Sequence, residues 1–384
     1  MSEPKSIAGE LLPSEYSRGI DRRTGTTVHQ LTAAPCINHP PYFLTSALTP
    51  DERHLLFTSY RTGAPQLYEI TLLDGPIRQL TDLSGLHPYS AVLAATGEEV
   101  LYTRRDEAGG GLIEALRRED LSRRLVCRLP GAELGECSVS ADGNWAVTAM
   151  KRGERHGIAV AATSGTGDPV QVEFPRLVIH PQFHPVDSDW IELAADPAPR
   201  MYRVRRDGSG LECLYEHGND EFVVHETFLG SSGDVVFTVW PHALRRLSWA
   251  SGAISTVAAL NAWHISPNRA GTRIVCDTNH PDRGLLTIDV ATGATRVICH
   301  PGSSNGGSQW ATSRYALAED FARAARTARE GASAQRALSW MESPTDTVYG
   351  PQWSHPHPAF SPSERYVSYT SDASGNPQVY LAEL

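Results

Sequence analysis

No stretch of this 384-residue chain is apolar for long enough to cross a bilayer as a helix, which takes about 18 residues or more. Its start, Met1 to Arg23, is polar and has no apolar segment behind a basic lead, so no secretory leader is expected. The six cysteines (Cys36, Cys127, Cys137, Cys213, Cys276, Cys299) stand singly, without CxxC pairs or framework spacing, which suits a reducing cytoplasm and buried thiols without a role. No Lys/Arg-rich stripe with interleaved aromatics is present and the formal net charge is −10, which argues against nucleic acid as a partner. A few local Arg and His residues can still hold a small anionic substrate in an acidic protein. Walker and HExxH patterns are also missing, so the commonest nucleotide and metalloprotease signatures have no footing here.

What the chain has is repetition. Thr49-Pro50-Asp51-Glu52 precedes the apolar run Leu55 to Ser59, then Gln66 to Ile70, then Ile77 to Thr81; Ser361-Pro362-Ser363-Glu364 precedes Tyr366 to Ser371 and then Gln378 to Ala382. Weaker copies run through Glu99 to Thr103, Trp145 to Val147, Trp190 to Leu193, Val235 to Thr238 and Arg273 to Cys276. The period of roughly 40 to 50 residues is that of a four-stranded propeller blade, a unit that buries both faces only by packing on its neighbours. The spacing predicts an all-β, seven-bladed β-propeller in a single domain, with blades near 39–84, 85–135, 136–178, 179–222, 223–260, 261–306 and 347–384. The last copy stops after its third strand, and Thr24 to Thr32 matches the missing fourth, so an N-terminal segment (20–34) is expected to close the last blade. Between blades six and seven, 307–346 is rich in Ala and Arg and poor in β-branched residues; it predicts a short helical insertion around 312–340, either a decoration or oligomer contact, or a lid.

Histidines gather where each blade's inner strand begins: His39-Pro40, His87-Pro88, His180-Pro181-Gln182-Phe183, His225-Glu226, Trp263-His264 and Gln352-Trp353-Ser354-His355-Pro356-His357-Pro358. Such lead-ins converge at one mouth of a propeller channel. The segments starting at His180 and His357 share a His-Pro-x-Phe-x-Pro pattern and should occupy equivalent places in two blades. His355 and His357, two apart on an extended segment, face the same way. With Gln352 and with His264 from the adjacent blade they make a neutral set of three imidazoles and one amide oxygen, suited to a divalent first-row metal: manganese, iron, nickel or zinc. The competing reading is a set of hydrogen-bonded turn histidines. His225 is a candidate general base, or a capped turn histidine. Arg200 offers a fork for a carboxylate, or is a solvated surface group.

These residues resemble the oligogalacturonate lyases of pectin breakdown, which are seven-bladed propellers. The resemblance covers most of the chain: the first blade from Tyr42-Phe43 to Leu72, His180 to Phe183, His225-Glu226, the His264 blade, His300 with Ser303-Ser304, and the tail from Gln352 to Pro362. The tail carries the specificity, because generic propellers share the turns but not Gln-x-x-His-x-His joined to an upstream His-Glu. The resemblance implies a manganese ion held by His264, Gln352, His355 and His357, with His225 as catalytic base, Arg200 near the substrate, and His180 and Gln182 among the substrate-binding residues. It also implies β-elimination on short oligogalacturonides, chiefly the disaccharide, releasing a 4-deoxy-5-keto-uronate in the cytoplasm. Two departures from the family pattern stand out: Pro351 occupies a place where an Arg is expected, and the Ala/Arg-rich insertion is additional. A lyase on a different uronate oligosaccharide, and a non-catalytic binding module like the periplasmic propellers, are the alternative readings.

Overall fold

The computed structural model describes residues 7–306 and 351–384, so the helical insertion expected around 312–340 lies outside the described residues. Those residues form seven antiparallel sheets of four or five strands. Short-range chemistry sets each hairpin. In the first blade the Thr49 hydroxyl donates to Asp51 at 2.6 Å and accepts the His54 amide at 3.1 Å, while Glu52 takes φ 53° to turn the corner. Ser140, Asp142 and Gly143 repeat the device in the third blade, with Gly143 at φ 74°. Middle strands such as Tyr366–Ser371 are buried along their whole length, because a neighbouring blade covers each face.

The apolar cores lie between blades rather than inside them. Leu55, Phe57 and Tyr68 of the first blade pack on Tyr366, Val379 and Leu381 of the last, and Val275 and Ile298 of the sixth pack on Phe360 and Val367 of the seventh. A separate cluster of Tyr42, Phe43 and Tyr89 sits where several blades meet, since the Tyr42 and Phe43 rings approach His180, His225, His264 and His357 from four different blades. These aromatics plug the axis.

Closure follows the expectation and goes further. Thr27–Gln30 pairs with Gln378–Glu383 in the last sheet, Val28 opposite Ala382 and His29 opposite Leu381. Ser17–Ile20 then adds a fifth strand outside it, and Leu11–Leu12 pairs with Ile77–Gln79 of the first blade. One N-terminal arm therefore edges both blades that meet at the seam, which the short, irregular run before Thr24 did not advertise.

Candidate metal centre

Four consecutive blades, the third to the sixth, carry a two-against-one bulge in the inner strand. The pairing skips between Leu134 and Cys137, Ile179 and Gln182, Val224 and Thr227, and Ala262 and Ile265. The residues at the bulges are Gly135-Glu136, His180-Pro181, His225-Glu226 and Trp263-His264. A bulge breaks the strict alternation of a strand and re-aims a side chain. His180, His225 and His264 thus lie within their inner strands, not in the connections leading to them, and the bulge is what turns them to the axis. His180 at φ 52° and His357 at φ 47° share the left-handed backbone, as their common motif suggested, and His225 at φ 57° joins them.

His264, His355 and His357 converge, each offering a ligand atom within 4.8 Å of the others, and all three are buried. Ring centroids of His264 and His357 are 3.9 Å apart. The His264 Nδ1–H donates to Asp277 at 2.7 Å, which leaves Nε2 unprotonated, buried and without a hydrogen-bond partner. His355 donates through Nε2 to the Gly306 carbonyl at 2.8 Å, so its Nδ1 is the basic nitrogen. Nε2 of His357 is likewise buried and without a hydrogen-bond partner. Burial holds all three imidazoles below their ordinary pKa, and each is made harder to protonate by at least one neighbouring histidine. Neutral, convergent imidazoles, with His264 and His357 each holding a buried acceptor nitrogen that has no hydrogen-bond partner, fit a divalent cation and fit poorly as turn-capping side chains. Gln352 opens the turn Gln352–Ser354 that delivers His355, its carbonyl accepting the His355 amide at 3.1 Å; Pro351 starts that turn at φ −59° and brings no charge.

Beside the cluster, the His225 ring lies 4.5 Å from His264 and 4.4 Å from Trp263. Its Nδ1 is buried without a hydrogen-bond partner, and burial, reinforced by His264 and Arg200, holds it well below the ordinary imidazole range. Arg200 is 4% exposed, so it is no solvated surface group; Nε donates to Glu226 at 2.5 Å and Nη1 to Asp196 at 2.9 Å. Gln182 donates to the Glu226 carbonyl at 3.0 Å and accepts the Thr227 hydroxyl at 2.8 Å. His180 accepts from or donates to Tyr42 Oη at 3.3 Å and faces Glu136 at 3.7 Å; burial pushes it down to about 3.

Three participants were not among the site residues expected from the sequence. Asp277 is the single residue facing the Trp263-His264 bulge, a position visible only once strand register is known. Phe43 forms a floor touching His225, His264 and His357, and the fully buried Glu192, its carboxyl pushed well above the usual range by burial and then by Glu226, lies behind Gln182.

No family model matches the chain. Across its length it is 21% identical to an oligogalacturonide lyase of Pectobacterium atrosepticum and 22% identical to an oligogalacturonate lyase of Dickeya dadantii, with 98% of both chains covered in each pairing. Among solved structures it matches an oligogalacturonate lyase in complex with manganese at a TM-score of 0.79, with 18% identity over 99% of this chain and 98% of that one. An oligogalacturonate lyase from Vibrio parahaemolyticus gives 0.78 at 18% identity, covering 98% of each. The likeness thus spans whole chains, and the fold is shared with the two solved structures.

Proposed function

We propose that this chain, a full-length relative of the oligogalacturonate lyases, cleaves short oligogalacturonides, chiefly the disaccharide, by metal-dependent β-elimination. The observation that carries the reading is the buried convergence of His264, His355 and His357 beside the unligated imidazole of His225. His264, His355 and His357, with Gln352, would hold manganese, the ion carried by the oligogalacturonate lyase structure this chain matches. A divalent ion in that position supplies positive charge to the uronate carboxylate and acidifies the C5 proton.

The remaining work falls to side chains. His225, neutral at ordinary pH because of its burial, accepts the C5 proton while the bond from C4 to its oxygen breaks and that oxygen leaves as a hydroxyl with a proton from solvent, giving the unsaturated sugar that rearranges to a 4-deoxy-5-keto-uronate. The Phe43 floor and the buried histidines keep water from the reacting atoms. His180, Gln182 and Arg200 line the fourth-blade wall next to the base, on the substrate side. All six cysteines are free thiols, which supports a cytoplasmic location. The binding-module reading gives the unpartnered buried nitrogens of His264 and His357 nothing to do. A different uronate keeps one specific support, the uncharged Pro351 at the place where the family pattern has Arg.

The test is an assay of manganese-loaded protein on digalacturonate, following an ultraviolet-absorbing or keto product, with metal content measured on the same sample. Absence of both metal and product would sink the proposal. Turnover of another uronate disaccharide in preference would correct the substrate and keep the chemistry.

A further inference from the structure

The imidazole assigned as base hangs on a backbone conformation that an L-residue seldom adopts. His225 has φ 57° and is the first of two residues set against the single Phe237, since Val224 pairs with Thr238 and Thr227 with Val236. Non-glycine residues in the left-handed region cost of order 1 to 3 kcal/mol and persist where the surroundings over-determine them. Here the fourth blade does so. Gln182, from the strand Leu177–Phe183, crosses to the fifth blade with both ends of its amide: Nε2 donates to the Glu226 carbonyl at 3.0 Å and Oε1 accepts the Thr227 hydroxyl at 2.8 Å. The Glu226 carboxylate in turn accepts Arg200 Nε at 2.5 Å, and Arg200 is tied back to its own blade by Asp196 at 2.9 Å. Glu226 and Arg200 are 1% and 4% exposed, so this charge-assisted pair is sheltered from screening. The two residues that follow His225 are thereby gripped by one neighbouring blade, Glu226 through backbone and side chain and Thr227 through its hydroxyl.

We propose that Gln182, Arg200 and Glu226 are positioning residues that form a cross-blade brace holding His225 in its left-handed conformation against the metal cluster. The brace rests on the reading of His225 as base for its catalytic consequence, but its geometry is independent of that reading. It changes the part played by Gln182 and Arg200: their polar groups are engaged by the protein, and they act on the reaction through the aim of the imidazole.

The experiment compares manganese-loaded wild type with Gln182→Ala, Thr227→Val and Glu226→Gln. It reads kcat and KM on digalacturonate and manganese affinity, and, on the metal-free proteins because bound manganese would broaden it away, the ring-proton NMR signal of His225, assigned by its absence from His225→Ala. A base displaced by a fraction of an ångström should lose roughly tenfold to a hundredfold in kcat. For Gln182→Ala the expected result is such a loss with KM and metal affinity within about twofold and a shifted His225 signal. Thr227→Val removes a single hydrogen bond and should give a smaller change of the same kind. Glu226→Gln keeps an acceptor for Arg200 but removes the charge assistance, and should lose rate in the same direction as Gln182→Ala with KM within about twofold; a wild-type rate would show that the Arg200–Glu226 pair is not part of the brace. A raised KM with unchanged kcat for Gln182→Ala would overturn the proposal in favour of direct substrate contact. An unmoved His225 signal in both Gln182→Ala and Thr227→Val would overturn it even if the wild type proved to have no lyase activity, in which case the function falls separately. Arg200 variants leave buried carboxylates unpaired and endanger folding, so the test does not depend on them.

Discussion

Asp277 holds His264 at two points, accepting its backbone amide through Oδ1 at 2.6 Å and its ring Nδ1–H through Oδ2 at 2.7 Å. A carboxylate in that position fixes both the direction of the ring and the tautomer, presenting Nε2 as the basic nitrogen to the other two histidines. It can do so because the bulge leaves Asp277 alone opposite Trp263 and His264.

Removing this support should weaken metal binding without dismantling the blade. Asp277→Ala is expected to lower manganese affinity by about 10- to 100-fold, read by an electron paramagnetic resonance titration or by competition with a chelator. Affinity equal to wild type would show that the ring is held by its packing alone.

Base and ligand should separate in a pair of variants. His225→Ala is expected to lose on the order of 100- to 10,000-fold in turnover while keeping manganese through gel filtration. His357→Ala is expected to lose the metal and the activity together. If His225→Ala also emerged metal-free, His225 would belong to the ligand set.

Acid should destabilise the ring through histidines buried in neutral form. Burial pushes His39 down to about 4, whereas in the unfolded chain it titrates near 6.5. Between those values the unfolded state binds the proton and the folded state does not, so stability is intact above about pH 6.5 and is lost as the pH falls towards 4. The loss from His39 is on the order of 3 kcal/mol at the bottom of that window. Thermal melts from pH 7 to 4 should fall less steeply for His39→Asn than for wild type; parallel curves would rule out His39 as a source of the slope.

The seam between the last and first blades should be as sensitive as any core position. Leu381 is fully buried between Phe57 and Tyr366 in the cluster that joins these blades. Leu381→Ala should cost about 2 to 5 kcal/mol, seen as a lower denaturant midpoint with unchanged slope. A cost under about 1 kcal/mol would mean that the seam relaxes around the cavity.

Much of this was legible in the residues. The Thr49 and Ser361 turns announced the blade because their side-chain hydrogen bonds are local, and the Thr24 to Thr32 match to a fourth strand announced the closure. His264, His355 and His357 could be grouped because equivalent positions of a ring converge on its axis. Bulges are different: His225 and Thr227 look like neighbours in an ordinary alternating strand, and only the pairing with Val236 and Thr238 exposes the extra residue. The partners that depend on that register, Asp277 for His264 and Gln182 for Glu226, were hidden for the same reason. For Arg200 a surface reading stayed open beside the carboxylate fork, because its two carboxylates lie in different strands, one of them in the next blade.

The pairing of Val28 with Ala382 has a consequence during synthesis. At about 5 to 20 residues per second, the earliest strand of the seam waits on the order of half a minute for its mate. Throughout that wait an edge stays open on the nascent chain, a hazard for pairing with other copies. His355 and His357 arrive with the same closing segment, so the three-histidine cluster is complete only once the ring has shut, and a cation held there would report that closure.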